Sequence, residues 1–311
     1  KKIGVQTCAL QEKTTMKNLE KTSGFNEIPE ARVRLLFLRH AEKTGAGVVD
    51  AADRNIELTS EGVQQSLATG RKLGFDHPLV VSSDRERTKA SALNILAGGH
   101  EERTGEKNIS GDESFKELEE KVHKDLKIGS YLATDERLDF AYGKDSPERA
   151  GFQEAYDNGI FLQMLAEQHD AILKTQAVDN KSSYALQARN IALIIEEYMR
   201  RSPSYKSVLD EKKKHKNTIE RILLSHGGVI DPFLAETIDK LKGREERDAF
   251  LRSFPNGFDF LNGFEVELGI PETGEIKIRV KASIPLSDGS MYAFNEVIPK
   301  KIIDEIIGDS K

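Results

Sequence analysis

The chain has 311 residues, 38% hydrophobic and 32% charged, which suffices for a sizeable core in an ordinary soluble composition. A formal net charge of −6 and a pI of about 5.8 argue against nucleic acid or an anionic membrane as the main partner. No run of 18 apolar residues is present to span a bilayer, and Cys8 is the only cysteine, so an intramolecular disulfide is excluded.

Residues 1–30 are polar and without a clean period, and are expected to form a loose N-terminal arm. They contain no long apolar stretch, so no signal peptide is expected in them, and with the single cysteine this points to a reducing, cytoplasmic setting. Val33 to Leu38 is a short β-type run, apolar without a break from Leu35 to Leu38, as in a strand covered on both faces. It ends abruptly in Arg39-His40. Either the strand simply reaches the surface there, or it presents a cation and an imidazole to something anionic. In "ELTSEGVQQSLATGRKLG", Thr59 reads as a helix N-cap. Gly62, Val63, Ser66, Leu67 and Gly70 give a helical stripe, and Gly74 sits past the end.

The pattern then repeats. A strand, Leu79 to Val81, stops at Ser82-Ser83, and a helix starts near Asp84 to Glu86. Residues 100–130 are highly charged and expected at the surface. Helical spacing returns from Ser146 to about Lys174. "SYALQARNIALIIEEYMRR" is the clearest helix, with Leu186, Ile191, Ile194, Ile195 and Tyr198 on one face. Ile219 to Leu224 reads as a strand running into "SHGG". "GFEVELGIPETGEIKIRVKA" reads as a late β-hairpin turning around Pro271 to Gly274. The alternation predicts an α/β fold, a mostly parallel sheet flanked by helices in one domain over 31–311.

Three strand ends carry related chemistry: Arg39-His40, then Ser83 with Arg87 beyond it, then Ser225-His226. Ligands of open α/β sheets bind at the carboxyl ends of strands, so these groups converge if the strands are neighbours. Two guanidiniums and two imidazoles would form an anion site. The arginine fork matches phosphate oxygens, and one imidazole is available as nucleophile.

In sequence, "LLFLRHAEK" resembles the RHG/RHA motif of the histidine phosphatase (phosphoglycerate mutase-like) superfamily. "LTSEGVQQS" is similar to that family's LTxxGxxQ, "SSDRERTKASA" to its second block, and "LLSHGGVI" to the block with the second histidine. The four occur in the family's order between Arg34 and Ile230. The resemblance implies a metal-independent phosphatase without a cofactor, acting on a phosphorylated small molecule through a phosphohistidine. It makes His40 the nucleophile and His226 its partner, with Arg39 and Arg87 on the phosphate. By the block's spacing Arg87, not Arg85, takes that role. Glu42 and Lys43, beside the RHA motif, join them as candidate substrate contacts.

The family also places an acid between its second and third blocks. "TDERLDFAYG" resembles that segment and points to Asp139, with Glu136, Glu119 and Glu42 as alternatives. Residues 144–215, between acid and third block, are expected to form a helical cap. Departures from the pattern favour phosphatase over mutase. Ala46 stands where mutase-type members carry a phosphate-binding Asn after Trp, and the chain has no Trp. The alternatives are a phosphoglycerate mutase-type phosphomutase and an inactive phospho-ligand binding protein. His123 near Glu119 and Glu120 reads as a solvated helix face rather than a metal site.

Overall fold

The computed structural model describes residues 31–45, 55–75, 79–106, 109–111, 113–124, 132–140, 151–175, 182–212, 217–271 and 275–308. The expected N-terminal arm lies outside them. So do the hairpin turn at 272–274, Gly143 of the acid segment, and most of the glycine-rich "TGAGVVD".

Seven strands form one sheet: β1 (Ala31–Arg39), β2 (Leu79–Ser82), β3 (Leu132–Thr134), β4 (Thr218–Ser225), β5 (Gly263–Ile270), β6 (Lys277–Pro285) and β7 (Met291–Ile298), in the order β3-β2-β4-β1-β5-β6-β7. The half from β3 to β1 is parallel, whereas β5, β6 and β7 run antiparallel. The sheet is therefore mixed rather than mostly parallel, because the expected hairpin pairs directly with β1 and gains a third strand. Nine α-helices lie among the described residues: α1 (Ser60–Leu73), α2 (Glu86–Thr104), α3 (Phe115–Lys124), α4 (Phe152–Asp157), α5 (Phe161–Thr175), α6 (Ser183–Lys212), α7 (Asp231–Lys242), α8 (Arg244–Ser253) and α9 (Lys300–Gly308).

β1 is covered on both faces, as its unbroken apolar run demands. Val33, Leu35 and Phe37 are fully buried in the main core with Phe264, Val266 and Leu268 of β5. Leu36 and Leu38 point to the other face, against Phe75 and the α2 residues Ile95 and Leu96. Phe37 stacks on Phe264, and Phe264 on Phe233, with centroids 5.0 and 5.5 Å apart. Each such side chain contributes about 1.5–3 kcal/mol by leaving water. The start of β1 is charged and tied across the sheet. Arg34 meets Glu220 at 3.2 Å and Glu265 at 2.7 Å, and Arg32 lies 3.8 Å from Glu267.

α1 begins as its sequence dictates. The Thr59 hydroxyl accepts from Gly62 N–H at 3.0 Å, and Gly74 ends the helix in the left-handed region. α1 crosses α2 so closely that a Cβ on Gly70 would lie 2.0 Å from Ile95 O, and one on Gly98 2.0 Å from Leu67 O. Glycine in the α1 stripe is thus a packing requirement. The charged 100–130 segment is not wholly superficial, since Leu118 and Val122 of α3 are buried against Leu93 and Ala97.

Within 144–215, α6 packs against β1 and β5, with Ile191 and Ile195 fully buried. α5 starts beside the turn after β4: a Cβ on Gly228 would lie 2.6 Å from the Phe161 ring. Ile160 precedes α5 and is exposed, and its carbonyl accepts from Met164 N–H as the helix starts. No helix among the described residues is long and apolar enough to cross a membrane.

Candidate active site

The ends of β1, β2 and β4 are adjacent and in register. Arg39 pairs with Ser225 and Ser82 with Leu224. The ladder continues one residue beyond each strand: His40 N–H donates to Ser225 O at 2.9 Å, and Ser83 N–H to Leu224 O at 3.1 Å. Residues 40, 83 and 226 are brought side by side in this way. The His40 and His226 rings meet edge to face with centroids 5.3 Å apart.

His40 is 3% exposed, and its Nδ1 lies 2.6 Å from Ala41 O. A carbonyl only accepts, so Nδ1 carries the hydrogen and the lone pair of the neutral ring is on Nε2. The turn that presents the ring is pinned by α2: Ala41 N–H donates to Ser91 Oγ at 2.9 Å, and that hydroxyl donates to Arg87 O. Burial first, then the charges of Arg39 and Arg87, hold the His40 pKa well below its ordinary value; the bond to Ala41 opposes them and the charge of Lys43 adds to them. The ring is thereby kept neutral, the form with a nucleophilic lone pair.

His226 is held from three sides. Its Nε2 is 2.8 Å from Ser83 Oγ and 3.6 Å from Asp139 Oδ1, and Phe140 stacks on the ring at 4.7 Å. Burial and then the charges of Arg87, His40, Arg85 and Arg39 push its pKa well down. Its Nδ1 is buried without a hydrogen-bond partner among the described residues, as is Arg39 Nε. An unmade buried hydrogen bond costs about 1–3 kcal/mol, which an oxyanion between the two rings would recover.

Asp139 follows a single 3-10 turn, Glu136–Leu138, anchored where Ser225 Oγ donates to Leu138 O at 2.7 Å. The β4 residue before the second histidine therefore places the acidic segment. Asp139 Oδ1 accepts from Arg85 Nε at 2.6 Å and from Phe140 N–H at 2.8 Å. Of the alternative acids, Glu136 is exposed and Glu119 lies on α3. Glu42 is turned to the N-cap of α1, its Oε2 3.4 Å from Thr59 Oγ1.

Arg39 is positioned by a loop beyond the resembling blocks. It donates to Phe258 O at 2.5 Å and lies over the Phe260 ring at 4.5 Å. Buried Asp231 shapes that loop by accepting from Phe258 N–H at 2.5 Å and Gly228 N–H at 2.7 Å. Burial raises the Asp231 pKa against those bonds. Gly227 leaves room for Arg39, since a Cβ there would be 3.0 Å from the guanidinium, and Gly228 adopts a φ of 79°. Lys43 is buried and donates to Gly45 O at 3.2 Å.

The fold thus brings His226, Arg39, Arg87 and Lys43 close to His40, with Asp139 beside His226 and the Glu42 carboxylate turned to Thr59. Sequence reasoning missed Arg85, Phe140, Phe260 and Asp231. Arg85 was set aside on spacing within its block. Phe260 and Asp231 belong to segments whose helices and loop carry no motif. Among the described residues, no group of three or more His, Cys, Asp or Glu is placed to hold a metal ion.

No protein-family model matches the chain, and no curated protein does. Solved structures similar to it include a mycobacterial glucosyl-3-phosphoglycerate phosphatase, at 19% identity and a TM-score of 0.40 over 79% of this chain and 97% of that one. A phosphoglycerate mutase from Bacillus anthracis is 13% identical with a TM-score of 0.37, over 89% and 97%. An Entamoeba histolytica phosphoserine phosphatase in complex with 3-phosphoglyceric acid is 14% identical with a TM-score of 0.35, over 87% and 99%. These are members of the histidine phosphatase superfamily that the motifs resemble.

Proposed function

We propose that the protein is a phosphomonoester hydrolase acting on a phosphorylated small molecule through a phosphohistidine at His40. The observation that carries this reading is the His40 ring, its Nδ1–H given to Ala41 O and its neutrality enforced first by burial and then by two guanidiniums. A phosphate ester repels nucleophiles and accumulates charge on its oxygens as the phosphoryl group moves. Arg39, Arg87 and the His226 Nδ1–H supply donors for those oxygens. His40 Nε2 attacks phosphorus, the ester P–O bond breaks, and the leaving oxygen takes a proton from Asp139. Water then attacks the P–N bond while Asp139 accepts its proton, releasing phosphate and free His40. Lys43 contacts the ester, and the start of α5 borders the Gly227-Gly228 turn that follows His226.

Incubation with an aryl phosphate tests the reading: free phosphate should appear, and rapid quenching should trap acid-labile, base-stable phosphate on the protein. Absence of both would overturn it. Incubation with a phosphoglycerate isomer separates hydrolysis from mutase activity, since a mutase returns the other isomer rather than free phosphate.

A further inference from the structure

Among the described residues, Arg85 is a cation beside His226 and Asp139 to which the hydrolytic scheme gives no task. It immediately precedes α2, and its side chain is only 6% exposed. Its Nε donates to Asp139, and its guanidinium lies 5.3 Å from the Phe140 ring that stacks on His226. Its charge also acts on His226 beside those of Arg87 and Arg39. One guanidinium therefore touches the candidate acid and borders the place where the phosphoryl group would sit.

A carboxyl group cannot give a proton to a leaving oxygen while it is the anionic half of a guanidinium pair. The pair must first part, and parting two nearly buried charges is costly unless each finds a new partner. A phosphomonoester arriving as its monoanion satisfies both halves. It carries a proton for Asp139, and once that is given up it presents two negative charges to Arg85.

We propose that Arg85 is a positioning residue that holds Asp139 in the free protein and passes to the phosphoryl oxygens when the ester binds, so that the acid is armed only in the complex. The proton moves from the ester monoanion to Asp139, and from Asp139 to the leaving oxygen as the P–O bond breaks; nothing else is consumed. This rests on the phosphomonoesterase reading above.

Vanadate, a mimic of the transferring phosphoryl group, tests the exchange by titration calorimetry. In the wild-type protein, binding must break the Arg85–Asp139 pair. Asp139→Ala releases Arg85 beforehand and should tighten vanadate binding about 10-fold. In an Arg85→Gln background the same Asp139→Ala change should alter the affinity by less than about 3-fold, since no pair remains to be broken. Equal tightening with and without Arg85 would mean simple charge removal and would overturn the exchange. No tightening from Asp139→Ala alone would also overturn it, an outcome readable even if Arg85→Gln does not fold. A wild-type protein that binds no vanadate would instead remove the phosphomonoesterase reading itself.

Discussion

At His40, a single bond to Ala41 O decides which nitrogen keeps the lone pair. His40→Ala should lower kcat by at least about 10³-fold and abolish trapped phosphate, measured by quench with labelled ester. Arg87, with its charge on both histidines, should matter to every ester alike. Arg87→Ala should cost about 10²-fold in kcat/KM for alkyl and aryl phosphates together. Asp139→Asn should discriminate: about 10²-fold or more for alkyl phosphates, less than about 10-fold for aryl phosphates, whose good leaving groups need little protonation. Steady-state kinetics on both ester types reads this, and a uniform loss would mean that Asp139 is structural. That the two histidines and Arg39 stand at strand ends was legible in sequence because an apolar run stops there, while their candidate roles came from the resemblance of four blocks in order. Arg85 was not, because nothing local distinguishes a helix-start arginine on the surface from one bonded to a carboxylate 54 residues away.

Among the elements, the α1–α2 crossing gives the sharpest contrast. Gly98 and Gly99 are neighbours in one helix and both lie against the backbone of α1, but only Gly98 is pressed into it. A Cβ there would meet Leu67 O at 2.0 Å, whereas on Gly99 it would find only ordinary contacts at 3.4 Å and beyond. Gly98→Ala should destabilise the protein by about 1–3 kcal/mol, because backbone must move. Gly99→Ala should stabilise it by about 0.5–1 kcal/mol through helix propensity. Denaturant unfolding of both variants measures the pair. α1, with its capping threonine and terminal glycine, was readable to the residue. β7, α7 and α8 were not anticipated: β7 completes a hairpin whose first two strands already read as sufficient, and the others follow the second histidine without a distinctive cap. Ser225 shows the same limit, since its bond to Leu138 O joins segments 87 residues apart.

Across the whole molecule, two buried neutral histidines make stability depend on pH. Both have folded-state pKa values well below the usual 6.5, so the unfolded chain binds more protons as pH falls through 6.5. Stability should be fully present above about pH 6.5 and decline on acidification below it. Tm measured from pH 8 to pH 5 should fall less in a His40→Asn, His226→Asn double variant than in the wild-type protein. A parallel fall in both would mean that other groups govern the acid limb. The sheet order has a further consequence, for synthesis. β1 precedes both of its partners, β4 and β5, by a long stretch of chain; Arg34 waits 186 residues for Glu220. Until then its Leu-Leu-Phe-Leu segment has two open edges, the condition under which nascent chains pair with one another. Arg32, Arg34 and Arg39 space that segment with like charge. Arg32 and Arg34, which end as ion-pair partners in the finished sheet, would thus act earlier with Arg39 as gatekeepers, holding unfinished copies apart while the rest of the chain is translated.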